Sequence, residues 1–276
     1  MDIRFAISPA ETQKLTTDEL RSHFLIEQLM VDDTIQLVYT HYDRMIVGGV
    51  MPVANQVVLS NHPELRSDYF LERREMGIIN VGGEGVVIAD DKEYTLVALS
   101  CLYLGKGTKN VVFKSLDKAT PAVFYLLSVP AHKEYPAALL SKEQATPMRL
   151  GSDESSNKRT IYKYIHLEGI QSCQLVMGLT VLEKGSVWNS FPPHTHSRRM
   201  EAYFYFDVTN ENRVFHFLGE PRETRHVVLS NHQAVLSPPW STHYGCGTSN
   251  YGFIWGMAGE NLRYDDMDST PVNEIK

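Results

Sequence analysis

Cysteine is scarce in this chain. Cys101, Cys173 and Cys246 are its three thiols, too few and too far apart for a disulfide framework or a cysteine-built zinc knuckle. Long apolar runs are missing as well. No stretch approaches the roughly eighteen uninterrupted apolar residues of a membrane span, and the opening MDIRFAISPAETQK has no apolar core of signal-peptide length. Clustered positive charge is also absent. With 26 Lys and Arg against 33 Asp and Glu, the net charge is −7, a field that repels polyphosphate, so nucleic acid is excluded as a partner. Small anionic substrates stay open, because a few arginines in a cleft override the overall sign. Finally, no long amphipathic helices separate the strand patterns, which argues against a parallel α/β sheet. The expectation is a soluble protein of the reducing cytoplasm that spans no membrane.

What is present is an ordinary globular composition, 43% hydrophobic and 21% charged over 276 residues, with enough chain to bury a core without staples. Residues 1–30 read as a helix-bearing arm. Thr16 and Glu19 form a capping box ahead of Leu20, Phe24 and Leu25 at helical spacing. Beyond it, short strand patterns recur at roughly ten-residue intervals with Gly, Pro and Asn turns between them, as in a sandwich or barrel. Gly82-Gly83-Glu84-Gly85 and Gly105-Lys106-Gly107 lack the spacing of a phosphate loop and read as hairpin turns. The polar stretch 141–160 breaks the rhythm and reads as a linker between a first β unit, 31–140, and a second, 161–276. A faint echo, Arg73-Arg74-Glu75-Met76 against Arg198-Arg199-Met200-Glu201, suggests that one design is used twice.

The chemistry concentrates in Pro193-His194-Thr195-His196-Ser197-Arg198-Arg199-Met200-Glu201. Residues i and i+2 of a strand share a face, so both imidazoles aim at one point. Glu201 has the wrong parity for one continuous strand, but a turn at 197–199 would start a new strand and return it to the same interior. His243 follows a rigid Ser237-Pro238-Pro239 approach and offers a fourth ligand. Three imidazoles and one carboxylate suit Zn²⁺, Fe²⁺, Mn²⁺, Co²⁺ or Ni²⁺ and not Cu(I) or an iron–sulfur cluster. Tyr203 and Tyr205 share the parity of Glu201, so they face the same interior. Each is either a hydrogen-bonding partner of substrate or a core aromatic. Arg199 and Arg225 flank strands of this unit and are candidates to bind an anionic substrate. Trp240 and Trp255 either wall a pocket or pack. Cys246 near His243 is no evidence of a nucleophilic pair, since adjacency in sequence does not set orientation.

The spacing His-x-His, Glu201, distant His243 is similar to the metal signature of cupins. Longer strings are more specific: Asp43 to Pro52 (DRMIVGGVMP), Tyr69 to Glu75 (YFLERRE), Pro193 to Phe206 and Phe253 to Asn261 (FIWGMAGEN). Through them the chain resembles, over nearly its whole length, the 5-dehydro-4-deoxy-D-glucuronate isomerase family of the cupin superfamily. The resemblance implies an all-β fold of two cupin-type barrels behind the helical arm. It implies one Zn²⁺ per chain on His194, His196, Glu201 and His243, with other divalent first-row metals as alternatives. It also implies a homo-hexamer and an aldose–ketose isomerisation of a sugar acid in pectin breakdown. The first barrel has no His-x-His. Its Glu72 and Glu75 stand among arginines, its nearest histidines are His62 and His132, and it is expected to be metal-free. Where cupins usually place Asn, this chain has Gly247. Glu201, Tyr203 and Tyr205 are the candidates for moving the proton. The competing readings are another sugar-acid isomerase such as 5-deoxy-glucuronate isomerase, a metal-dependent cupin dioxygenase, and a non-catalytic sugar-binding cupin.

Overall fold

The computed structural model describes residues 1–276 and is nearly all β. The capping box forms: the Thr16 hydroxyl accepts from the Glu19 N–H, Glu19 reaches back to the Thr16 N–H, and the helix runs Thr17–Phe24. Leu20 and Phe24, one turn apart, are its buried residues and anchor it to the core.

Each half of the chain contributes a seven-stranded and a four-stranded sheet. In the first half, Arg74–Asn80 lies between Phe124–Pro130 and Cys101–Leu104. In the second, Arg199–Phe206 lies between Gly252–Gly259 and Ala234–Ser237. The two central strands occupy equivalent places, so the sequence echo has a structural counterpart. Taken strand start to strand start, Arg74 corresponds to Arg199 and Met76 to Glu201. Met76 and Ile78 belong to the apolar cluster inside the first half.

Two segments differ from the sequence reading. Leu25–Ile26 leaves the arm and pairs with Ala234–Ser237 at the edge of the second large sheet, while Asp2–Arg4 adds a parallel edge to the first. The stretch read as a linker also carries structure: Thr146–Leu150 pairs with Arg159–Ile165 as the other edge of the second sheet. Its polar residues misled because an edge strand needs only one partner and keeps water on its free side. The Gly82–Gly85 turn is not a hairpin either. Arg74–Asn80 and Gly85–Ala89 lie in different sheets, and a side chain at Gly83 would strike the Thr120 carbonyl where the chain crosses over.

The large sheets pack back to back. Tyr125 of the first stacks on Phe204 of the second with centroids 4.6 Å apart. Gly256 has no room for a side chain against Leu127, nor Gly77 against Met177. One continuous cluster of 45 buried residues therefore crosses both halves. Alternation along Arg199–Phe206 sends Met200, Ala202, Phe204 and Phe206 into this interface and leaves Glu201, Tyr203 and Tyr205 inside the second unit.

Candidate metal centre and its pocket

The chain turns at Ser197-Arg198, where the Arg199 N–H bonds to the His196 carbonyl at 3.0 Å, and then enters the strand that carries Glu201. The parity problem disappears at that turn. His196 Nε2 lies 3.0 Å and His243 Nε2 2.9 Å from Glu201 Oε2, and His243 Nε2 is 3.2 Å from His194 Nε2. One ligand atom from each of the four side chains lies within 4.8 Å of every other. Donors on a tetrahedral cation with bonds of about 2.05 Å are roughly 3.3 Å apart, so the spacing fits an ion of that size. This group can hold a metal ion.

The outer contacts point the same way. His196 Nδ1 donates to the Asp266 carbonyl and His243 Nδ1 to the Ser241 carbonyl. With Nδ1 protonated on carbonyls, each Nε2 turns its lone pair inward. Burial holds His196 below the usual histidine range and pushes His194 down to about 3, with His243 and His196 adding to the effect at His194. Both imidazoles are thus neutral at pH 7, as ligation requires. Burial alone would raise Glu201, but its contacts with His243 and His196 prevail and keep it anionic.

Below this cluster the interior stays polar. The Tyr205 hydroxyl shares a hydrogen bond with His216 Nδ1 at 2.7 Å, and the Tyr203 hydroxyl is 3.0 Å from Ser190 Oγ. Burial, and then the charge of Glu201, raise Tyr203 well above the ordinary phenol value, so its proton stays on. A cavity of about 310 Å³ opens onto His194, His196, Glu201 and Tyr203, at the small end of the range for small-molecule sites. Trp255, Phe253 and Met257 form part of its wall.

The residues singled out in the sequence part ways here. His194, His196, Glu201 and His243 come together, and Tyr203 and Trp255 line the cavity. Trp255 is fixed by its Nε1–H bond to Thr180 Oγ1 at 3.1 Å. Tyr205 lies behind the cavity wall on His216. Arg199 is only 1% exposed, and its guanidinium donates to the carbonyls of Arg263 and Asp266. Its charge therefore clamps the C-terminal strap instead of facing substrate. Arg225 is spent on the arm, donating to the Leu15 carbonyl at 2.9 Å. Trp240 packs edge-on against Phe24.

Sequence reasoning missed the strap itself. Asp268–Ser269 pairs with His194–Thr195, Asp266 and Asp268 bind Arg198, and Tyr264, Met267 and Ser269 line the cavity. It also missed Arg159, which lines the cavity from a segment read as linker. The run Arg263 to Asp268, dense in charge near a chain end, was the available signal for the strap.

A family model described as KduI/IolB matches residues 24–273. The 4-deoxy-L-threo-5-hexosulose-uronate ketol-isomerase of Halalkalibacterium halodurans is 53% identical over 276 residues, covering 100% of both chains. The enzymes of the same name from Shouchella clausii and Caldicellulosiruptor bescii are each 51% identical, again over 100% of both chains. Among solved structures, an IolB-like protein from Salmonella typhimurium superposes with TM-score 0.69 at 14% identity, covering 90% of this chain and 96% of its own. Bacillus subtilis oxalate decarboxylase does so with TM-score 0.56 at 10% identity, covering 81% and 71%.

Proposed function

The chain belongs to the KduI/IolB family, and from that premise we propose that it is a metal-dependent aldose–ketose isomerase. Its substrate is 5-dehydro-4-deoxy-D-glucuronate, also named 4-deoxy-L-threo-5-hexosulose-uronate, and its product is 3-deoxy-D-glycero-2,5-hexodiulosonate, a step of pectin and uronate breakdown. The observation that carries the reading is a convergent cluster, His194, His196, Glu201 and His243, opening onto a cavity of small-molecule size, in a chain 53% identical over its full length to an enzyme of that name.

The reaction is internally balanced. C2 loses its proton, C1 gains one, the C1 aldehyde becomes a CH₂OH group, and the C2 hydroxyl becomes the ketone. No oxidant or reductant enters. We assign His194, His196, Glu201 and His243 as the ligands of one divalent cation, with Zn²⁺ the ion best suited to three imidazoles and a carboxylate at this spacing. When bound, such a cation supplies Lewis-acid stabilisation of the negative charge that develops on the C1 and C2 oxygens. Tyr203 lines the cavity with its proton held on by burial, so it acts as a hydrogen-bond donor to a substrate oxygen and not as the base. Ser190, bonded to the Tyr203 hydroxyl at 3.0 Å, holds that donor in place. Glu201 is the only carboxylate lining the cavity; its Oε2, which meets His196 and His243, would hold the cation, and its Oε1 is the group assigned to take the proton from C2 and return it to C1. Trp255, Phe253 and Met257 exclude water from the reacting carbons.

The first unit, with Met76 and Ile78 inside, is assigned a structural role without metal. The resemblance supports a homo-hexamer of 31.3 kDa chains, to be read by light scattering. No helix is long and apolar enough to cross a membrane, and the site of action is proposed to be the cytoplasm.

The test is turnover of the keto-uronate under anaerobic conditions. Activity should be lost on chelation and restored by zinc, with no oxygen consumed in air. Dependence on oxygen would favour the dioxygenase reading, and binding without turnover the sugar-binding one. In deuterated water, label on the new CH₂OH carbon (C1 of the substrate, C6 of the product) supports proton transfer through an enediolate. Its complete absence would point to hydride shift.

A further inference from the structure

The substrate proposed above carries its reacting aldehyde at one end of a six-carbon chain and a carboxylate at the other. An enzyme that holds the aldehyde end at a cation needs a separate positive group for the carboxylate. Otherwise the two anionic or oxygen-rich ends compete for one site. The chain as a whole, at −7, offers no attraction.

Arg159 is the only Lys or Arg among the residues lining the cavity. It opens the strand Arg159–Ile165, held in register between Leu150 and Leu182, so its base is rigid. Its Nη1 donates to the Asn157 carbonyl at 2.9 Å, which fixes one edge of the guanidinium. None of the ion pairs in the molecule includes it. The titrating groups whose charge acts on it are the phenols of Tyr264, Tyr203 and Tyr251, none of them an anion at neutral pH.

The other arginines around the cavity are all committed. Arg198 pairs with Asp266 and Asp268, Arg263 with Asp265, and Arg199 with strap carbonyls. A half-buried guanidinium with no carboxylate of its own, facing a cavity that holds no other cation side chain, is built to receive one. The planar fork of arginine suits a carboxylate in a two-point contact that lysine cannot reproduce.

We propose that Arg159 binds the carboxylate of the sugar acid and so sets which end of the chain reaches His194, His196, Glu201 and His243. This rests on the isomerase reading above and adds its specificity-determining residue. Recognition of the acid would then be separate from the chemistry. Without Arg159 the cavity should still accept a sugar of the same length but lose its preference for a charged end.

The experiment compares wild type, Arg159→Gln and Arg159→Lys on two substrates: the keto-uronate and its neutral analogue with CH₂OH in place of the carboxylate. Wild type should prefer the uronate. Arg159→Gln should raise KM for the uronate by on the order of 10- to 150-fold, the loss of a charge-assisted contact, and leave the neutral analogue unchanged. Arg159→Lys should recover part of the loss. Zinc content and melting temperature serve as the structural readout and should match wild type. A uronate KM within about twofold of wild type in Arg159→Gln overturns the proposal. So does an equal loss on both substrates, which would mean a structural role. Wild-type turnover of the uronate is the separate control. Its absence would sink the isomerase reading itself, and the clamp with it, whereas an active wild type with an unaffected variant sinks the clamp alone.

Discussion

Glu75 offers the sharpest stability prediction. It sits on the central strand of the first unit, with zero exposure, and faces the second unit. Its carboxylate accepts from the backbone N–H groups of Cys173, Gln174 and Leu175 at 2.7, 2.9 and 2.9 Å, and from the Tyr103 hydroxyl at 2.8 Å. Those three amides lead directly into the strand Val176–Leu182, which supplies Thr180 to the cavity wall. Glu75→Ala leaves four donors without an acceptor, the Leu175 N–H and the Tyr103 hydroxyl buried and the other two half-buried. At about 1–3 kcal/mol each they set an upper range, and relaxation with entry of water brings the expected loss to about 3–5 kcal/mol. Glu75→Gln keeps one oxygen for Gln174 and Leu175 but turns its NH₂ toward the Cys173 N–H, so the loss should be about 1–3 kcal/mol. Urea denaturation at neutral pH is the assay, with far-ultraviolet circular dichroism to confirm the fold. A Glu75→Ala stability within about 1 kcal/mol of wild type would refute the reasoning, because it would mean the four donors find other partners at no cost.

Three other predictions concern the site. His243→Ala should lose metal and turnover yet keep its circular dichroism, since the core of 45 residues does not depend on the ion; full activity in that variant would refute the ligand assignment. Tyr203→Phe removes the hydroxyl 3.0 Å from Ser190 and should lower kcat by about 10²-fold or more with little change in KM, read by steady-state kinetics. His216 is buried neutral, its pKa pushed by burial from 6.5 down to about 3. The unfolded chain takes up a proton below pH about 6.5 and the folded one does not, so this stability is complete above that pH. It is lost at about 1.4 kcal/mol per pH unit as pH falls toward 3. Denaturation from pH 7 to 5 should therefore show an acid sensitivity that His216→Gln reduces by about 2 kcal/mol.

The sequence made the second unit far more legible than its borders. His194 and His196 announce a shared face by their spacing alone, and the Ser197-Arg198 turn resolves the parity of Glu201 because a tight turn resets which face a strand residue takes. The strand pattern was readable because alternation is local. What could not be read were contacts set by long-range pairing. Leu25–Ile26 belongs to a sheet whose partner strand begins at Ala234, and nothing near Leu25 says so. Arg159 was hidden because it opens its strand directly after the polar run Ser152 to Lys158, next to an edge strand, Thr146–Leu150, whose composition is that of a linker. Arg199 and Arg225 looked like substrate ligands because a charge is visible in sequence while the carbonyls that absorb it are not. Glu75 stood out only as a carboxylate among arginines. Its true partners are amides nearly a hundred residues away.

The most direct measurement is a crystal structure of the protein grown with zinc, with anomalous scattering collected on both sides of the zinc edge. The account predicts one strong peak per chain, bonded by an Nε2 from each of His194, His196 and His243 and by the Glu201 carboxylate, facing the cavity that Arg159 also lines. A peak elsewhere, or zinc-free density with these four side chains splayed apart, would contradict it.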